Sequence, residues 1–257
     1  MVWIIGHFLA ICIGLSLGLI GGGGSILAVP ILVYVLGLEA KVAIAMSLAT
    51  VGVVSLIGVI PHWRQGNVNL KTAANFTPSA MLGAFLGARL AAFPWVTATI
   101  QLVCFAVMML IASYFMIRKP KTQLSDRQKL SFPKQHYPQY PWLAIALEGL
   151  GVGVITGFVG VGGGFAIIPA LVLLGGIPMK EAVGTSLLII TLNSATGFLG
   201  YLNQVTINWN LMFSFTSAAA LGVLGGAYLS QKISGAKLQR IFGYLLIAIA
   251  VFILIKR

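Results

Sequence analysis

Residues 18–30 read GLIGGGGSILAVP, and residues 157–169 read GFVGVGGGFAIIP. Each stretch joins a long apolar run to a short one that contains a proline. A glycine costs a helix interior about 1 kcal/mol, so Gly21-Gly22-Gly23-Gly24 and Gly160-Val161-Gly162-Gly163-Gly164 predict two places where a helix unwinds. The apolar runs that follow, Ile26–Gly37 and Phe165–Ile177, are too short to cross a bilayer as straight helices. A span needs about 20 residues, and the first run reaches only about 18 Å at helical rise.

The two stretches belong to a longer correspondence. With Gly18 set against Gly157, positions 18–90 and 157–229 align without a gap and share 24 identities in 73 positions. The matches include Pro30 with Pro169, Lys41 with Lys180, Ser47 with Ser186, Ser55 with Ser194, Gln65 with Gln204 and Asn69 with Asn208. Chance gives about a tenth in a composition this biased. The chain therefore reads as a tandem duplication, with a first transmembrane repeat over 1–117, a linker over 118–141 and a second repeat over 142–257. Because residues 1–20 lack a basic n-region and their continuation recurs mid-chain, a cleaved signal peptide is not expected.

Composition sets the class. Hydrophobic residues make up 59% of the 257 and charged residues 8%, whereas a soluble domain carries about 25% charged residues. The lipid bilayer is the solvent this chain calls for, and the expectation is an all-α polytopic protein of about eight transmembrane helices, four per repeat. A net charge of +12 would suggest nucleic acid in a soluble protein. Here it reads as loop cations that orient the chain, with no nucleic-acid partner. Cys12 and Cys104 lie inside apolar runs without a CxxC pattern, so neither a disulfide nor a metal site is expected.

Arg118, Lys119, Lys121, Arg127, Lys129 and Lys134 stand against Asp126 in the linker, which should make it cytoplasmic in a cell inner membrane. Lys256 and Arg257 suggest the same for the C-terminus. An even number of crossings per repeat follows, with the two halves parallel. Arg89 and Lys232 count against that scheme, and five crossings per repeat would invert the second half.

Unwound backbone at membrane depth lines protein or a watery cavity. Its free N–H groups, with the helix N-terminus that follows, suit an anion. Gly21, Gly22, Gly23, Gly24, Ser25, Gly162, Gly163 and Gly164 are candidates on that ground, close packing being the alternative. Gly83 with Gly87 and Gly222 with Gly226 read as close helix packing. Ser47, Thr185, Ser186 and Asn193 add hydroxyls and an amide suited to oxyanion oxygens. Glu148 and His7, at matching depths of the two repeats, could relay a proton or simply sit hydrated at an interface. His62, Arg64, Gln65 and Gln204 could form gates, the competing reading being a solvated loop. No P-loop, HExxH or GxSxG pattern is present, so neither an enzyme nor a cofactor is expected.

The stretches GLIGGGGSILAVPILVYVLG and AKVAIAMSLATVGVVSLIGVIPHWRQGNVNL, with GFVGVGGGFAIIPALVLLGG and KEAVGTSLLIITLNSATGFLGYLNQ, resemble the sulfite exporter TauE/SafE family, also called the toluene sulfonate uptake permeases. The first half departs from the family pattern, with Ala45-Met46-Ser47 where the second has Gly184-Thr185-Ser186. The resemblance implies a bacterial-type inner-membrane permease for sulfite, sulfonates or related anions. The main expectation is a secondary transporter for a small anionic solute, working by alternating access between the repeats. The rival readings are a passive anion channel and a non-transporting membrane enzyme or assembly factor. Which anion, which direction and which oligomeric state are not written in these residues.

Overall fold

Inside hydrocarbon a chain must hydrogen-bond its own backbone, which favours helices. The computed structural model describes residues 2–91, 98–118, 141–159, 164–201 and 205–255, and all its regular elements among them are helical. In order these are α1 (Val2–Ile20), α2 (Gly23–Pro30), α3 (Ala40–Arg64), α4 (Leu70–Ala91), α5 (Ala98–Arg118), α6 (Pro141–Val159), α7 (Gly164–Pro169), α8 (Met179–Tyr201), α9 (Trp209–Lys232) and α10 (Gly235–Ile255). All but α2 and α7 have 19 to 25 residues, or about 28 to 38 Å of helix. Five of them, α1, α3, α8, α9 and α10, are long and apolar enough to cross a membrane by length and composition alone. The protein is an all-α polytopic membrane protein.

The short elements are broken for a local reason. Pro30 has no N–H to give and its ring crowds the preceding turn. The helix widens there into a π turn, Ile31–Val35, closed by Leu36 N donating to Ile31 O at 3.2 Å. Pro169 does the same for Ala170–Leu174, where Gly175 N donates to Ala170 O at 3.0 Å. Gly37 (φ +69°) and Gly176 (φ +68°) then turn the chain out of each segment.

Side-chain contacts give the helix directions. Starting from α1, His7 meets Ser214 of α9, and Gly18 packs at Val223, so α1 and α9 run parallel. His62 bonds Gly18 O while Thr50 bonds Thr216, so α3 runs with both. Beside α1, α2 runs back, with Gly24 at Ile13 and Leu36 against Gly6. Gly52 lies on Ser194 and Gly58 on Leu187, so α8 opposes α3. Gly149 and Gly157 of α6 meet Phe76 and Ala84 of α4, which places α6 parallel to α4. Gln239 bonds Met116 O and Gly243 reaches Ser113 O, so α10 opposes α5. The long helices of the first half therefore run opposite to their counterparts in the second.

This arrangement corrects the expected parallel halves. Both ends of linker 118–141 lie at the end of the bundle that holds His62, whereas α10 finishes at the end that holds His7. Linker residues 119–140 and the C-terminal Lys256 and Arg257 lie outside the described residues, but Arg118 and Ile255, which lead into them, stand at opposite ends of the bundle, against the expectation that both share one side. The antiparallel halves have a local source: α2 with its π turn is short, but together with residues 37–39 it returns the chain to the side where α1 began. The cations now sort cleanly. Among the described residues Arg64, Lys71, Arg118, Lys180, Lys232, Lys237 and Arg240 sit at the His62 end, against Lys41 and Arg89 at the other. Lys232, an objection to the parallel scheme, falls with the majority.

The tightest packing crosses between the halves. Gly14 and Gly18 of α1 lie on the Ala219 and Val223 carbonyls of α9, while Gly222 and Gly226 lie on those of Ile11 and Leu15. In the same way Gly83 and Gly87 of α4 lie on Leu150 and Val154 of α6, and Gly153 and Gly157 lie on Ala80 and Ala84. A Cβ at any of these positions would overlap partner backbone. Small residues let helices approach this closely where lipid offers no hydrophobic drive for association.

Candidate functional site

Gly21 ends α1 with φ +84°, its N–H still bonded to Leu17 O at 2.7 Å. Ser25 Oγ donates to Gly22 O at 2.8 Å and closes the first turn of α2. The four glycines of the run are buried, and each is pressed from a different side. A Cβ on Gly21 would stand 2.7 Å from Ser186 Oγ of α8; on Gly22 it would meet Gly164 O of α7; on Gly23, Leu245 of α10; on Gly24, Ile13 O of α1. Backbone of Val183, Gly164 and Ile13 crowds Gly21, Gly22 and Gly24, whereas Gly23 meets only the ends of side chains, so close packing accounts for three of the four glycines. Gly164 is also tight, 2.6 Å from Ser25 Oγ by the same measure. Gly162 and Gly163 lie outside the described residues.

Ser186 is fully buried, and its hydroxyl points at two carbonyls, Val183 O at 2.9 Å and Gly21 O at 3.2 Å. Its single proton is therefore engaged with backbone, and donating to a solute requires it to turn away. Thr185, also buried, is used differently. Its oxygen accepts from Asn69 N at 2.9 Å, while its own proton finds no acceptor among the described residues. Ser47 is buried in α3. Asn193, on α8, keeps a buried Oδ1 without a partner.

His62 overturns the expectation of a solvated loop. It is 1% exposed, and its Nε2 bonds Gly18 O at 3.2 Å while its Nδ1 has no partner. Gln65 follows one turn later; its Oε1 accepts from Asn67 Nδ2 at 3.2 Å and its Nε2 is buried without a partner. Arg64 is exposed, and Gln204 lies outside the described residues. Gly184 brings α8 onto this loop, with a Cβ position 3.1 Å from His62 Cβ.

His7 and Glu148 are not at one depth. His7 lies at the opposite end from His62, with Nδ1 bonded to Trp3 O at 2.8 Å and Nε2 to Ser214 Oγ at 3.0 Å. Glu148 stands in α6 toward the His62 end, beside Gly175, with a buried Oε2 that has no partner. A single relay through both would have to traverse the bundle.

Asn69 and Asn208 occupy matching positions of the two halves but were assigned no role from sequence. Asn69 Oδ1 accepts from Thr72 N at 3.0 Å, and Asn208 Oδ1 accepts from Leu211 N at 3.1 Å, so each starts a helix. Asn69 also gives Nδ2 to Glu181 Oε1 at 2.8 Å, which ties loop 65–69 to α8. The available signal was an asparagine placed just ahead of an apolar run. Replacing Thr185 with valine should strand the Asn69 N–H and cost about 1–3 kcal/mol. A melting temperature several degrees lower for T185V, but not for T185S, would be the expected result with purified protein.

A bundle of long apolar helices, broken at Gly21 and lined at one end by buried polar groups, is the architecture of a polytopic membrane protein, and the relatives define its class as a membrane transporter. The sulfite exporter TauE/SafE profile matches residues 7–253, and the chain belongs to that family. It is 32% identical over 249 residues to a probable membrane transporter protein of Xylella fastidiosa strain Temecula1, covering 94% of this chain and 91% of that one. It is 27% identical to the probable membrane transporter protein YdhB of Bacillus subtilis (86% and 85% covered), and 24% identical to MJ0441 of Methanocaldococcus jannaschii, also a probable membrane transporter (96% and 95% covered). No solved structure gives a significant match.

Proposed function

We propose that this transporter carries a small sulfur-containing anion, sulfite or an organosulfonate, by alternating access. The observation that carries the reading is the pair of buried polar atoms without a partner, His62 Nδ1 and Gln65 Nε2, beside the Thr185 hydroxyl at the cationic end of the bundle, near the break at Gly21. Seven of the nine cations among the described residues stand at that end, and their field raises the local concentration of an anion. By the excess of cations, the His62 end and linker 118–141 face the cytoplasm of an inner membrane, which leaves the C-terminus outside. The duplicated units, 1–117 and 142–257, would then be inverted, as in many transporters.

Gly21, Gly22, Gly23, Gly24, Ser25, Ser47, Gly162, Gly163, Gly164, Thr185, Ser186 and Asn193 remain the candidate binding positions, with Thr185 the hydroxyl best placed to donate. Glu148 and His7 are candidates for proton coupling, one at each end, and His62, Arg64, Gln65 and Gln204 are candidates for gating. Since α1 is locked to α9 and α4 to α6, rocking one half against the other would tear both glycine interfaces. The moving bodies are better drawn as these cross-half pairs.

Sulfite flux into proteoliposomes tests the reading. Accumulation driven by a pH gradient is expected. Equilibration that ignores the gradient would indicate a passive channel, and no flux of any sulfur oxyanion would overturn the proposal. Removing the Thr185 hydroxyl should weaken anion binding by about 0.5–1.5 kcal/mol.

A further inference from the structure

His62 Nε2 faces the carbonyl oxygen of Gly18, and a carbonyl can only accept. Nε2 must therefore carry hydrogen. In the neutral ring this leaves Nδ1 as a bare lone pair, and Nδ1 is buried without a partner. Gln65, one turn on, presents the opposite need. Its Oε1 is taken by Asn67, so its buried, unpartnered Nε2 has N–H to give. His62 and Gln65, three apart at the end of α3, lie on one face. Across from them, Gly184 closes on His62 Cβ, and the next residue, Thr185, holds a hydroxyl proton whose oxygen is already used by Asn69 N. Among the described residues, one hydrogen-bond acceptor and two donors are left over in loop 62–69 and the facing part of α8.

We propose that this region is the anion-recognition site and that it selects a singly protonated oxyanion, whose O–H bonds His62 Nδ1 while its other oxygens take Gln65 Nε2 and the Thr185 hydroxyl. The inference rests on the transporter reading and narrows its substrate class. An anion with only acceptor oxygens would set an oxygen lone pair against the lone pair of Nδ1, and a buried polar group left unpaired in this way is a strong basis for rejection. The charged groups around His62 do not substitute for the missing donor. Glu181 of α8 is held by Asn69 Nδ2, and Lys180 Nζ by Gln231 O. Arg64 and Lys71 are exposed, and Lys232 of α9 lies over the Tyr228 ring. On α1 the other ionisable imidazole, His7, is at the far end.

The test compares sulfite with methanesulfonate, which has a similar oxyanion head but no O–H, in proteoliposomes of the wild-type protein at about pH 6 and about pH 8. Sulfite uptake should rise as the hydrogensulfite form grows in, and methanesulfonate should be roughly tenfold slower or worse. H62Q keeps both an N–H for Gly18 and a neutral acceptor, so it should retain that preference, while H62L should lose it. Equal uptake of the two anions by the wild-type protein, or an H62L variant with unchanged selectivity, would overturn the inference and leave the transporter reading intact. Absence of flux for both anions would instead remove that reading, and the inference with it.

Discussion

Alanine at Gly18 should leave little folded protein, whereas alanine at Gly23 should be tolerated. The two glycines are close in sequence, yet their surroundings differ in kind. A Cβ on Gly18 meets the Val223 carbonyl and stands 2.8 Å from Ala227 N, all backbone of α9. Nothing there can turn aside, so α1 and α9 must separate along their whole contact. Overpacking of this kind costs about 1–3 kcal/mol and occasionally more. Gly157, at the matching position of α6, meets backbone of Ala84 and should behave alike. A Cβ on Gly23 meets the end of the Leu245 side chain, which can rotate, with Ser16 Oγ at 3.1 Å. Gly23 is the first residue of α2, so alanine there also gains helix propensity, by less than the ~1 kcal/mol of an interior position. The measurement is the yield and melting temperature of monodisperse protein after detergent extraction. A well-folded G18A would refute the glycine interface. A G23A that folds but does not transport would return the run to a role in the transport cycle.

The second large effect is all-or-none. In a background with Cys12 and Cys104 replaced by alanine, S125C in the linker and a single cysteine appended after Arg257 should report opposite sides of the membrane. Both native cysteines are free thiols on the outer faces of their helices, so their removal should disturb little. A membrane-impermeant maleimide is expected to label the appended cysteine in intact cells and S125C only after permeabilisation. If the two sites label together, α5 and α10 do not run antiparallel, and the Gln239–Met116 hydrogen bond cannot be formed as described.

The glycine interfaces and the helix directions constrain each other. Gly222 and Gly226 were readable as packing glycines because they are spaced by four in an apolar helix. Their partner was not readable, since α1 and α9 lie near opposite ends of the chain. The same holds for His62. At the end of an apolar run, followed by Arg64 and Gln65, it had every local mark of a solvated loop. What buries it is the fold of Gly184 and Asn67 over it, a long-range event. Thr185 and Ser186 are adjacent in sequence but have different duties, one bonding a loop amide and the other two carbonyls. Sequence grouped them as equals because both are hydroxyls in one apolar helix.

The membrane class, the long helices, the break at Gly21 and the correspondence of 18–90 with 157–229 were all legible in the residues. They rest on composition, run length and the local chemistry of glycine and proline, which act over short stretches of chain. Long-range packing decided which helices pair, that the two halves run in opposite directions, and where unsatisfied polar atoms collect. In a soluble protein the helical hydrophobic period would have marked the inward face of each helix. In a bilayer the outward face is apolar too, so that period carries little signal, and close approach at small residues chooses the partners instead.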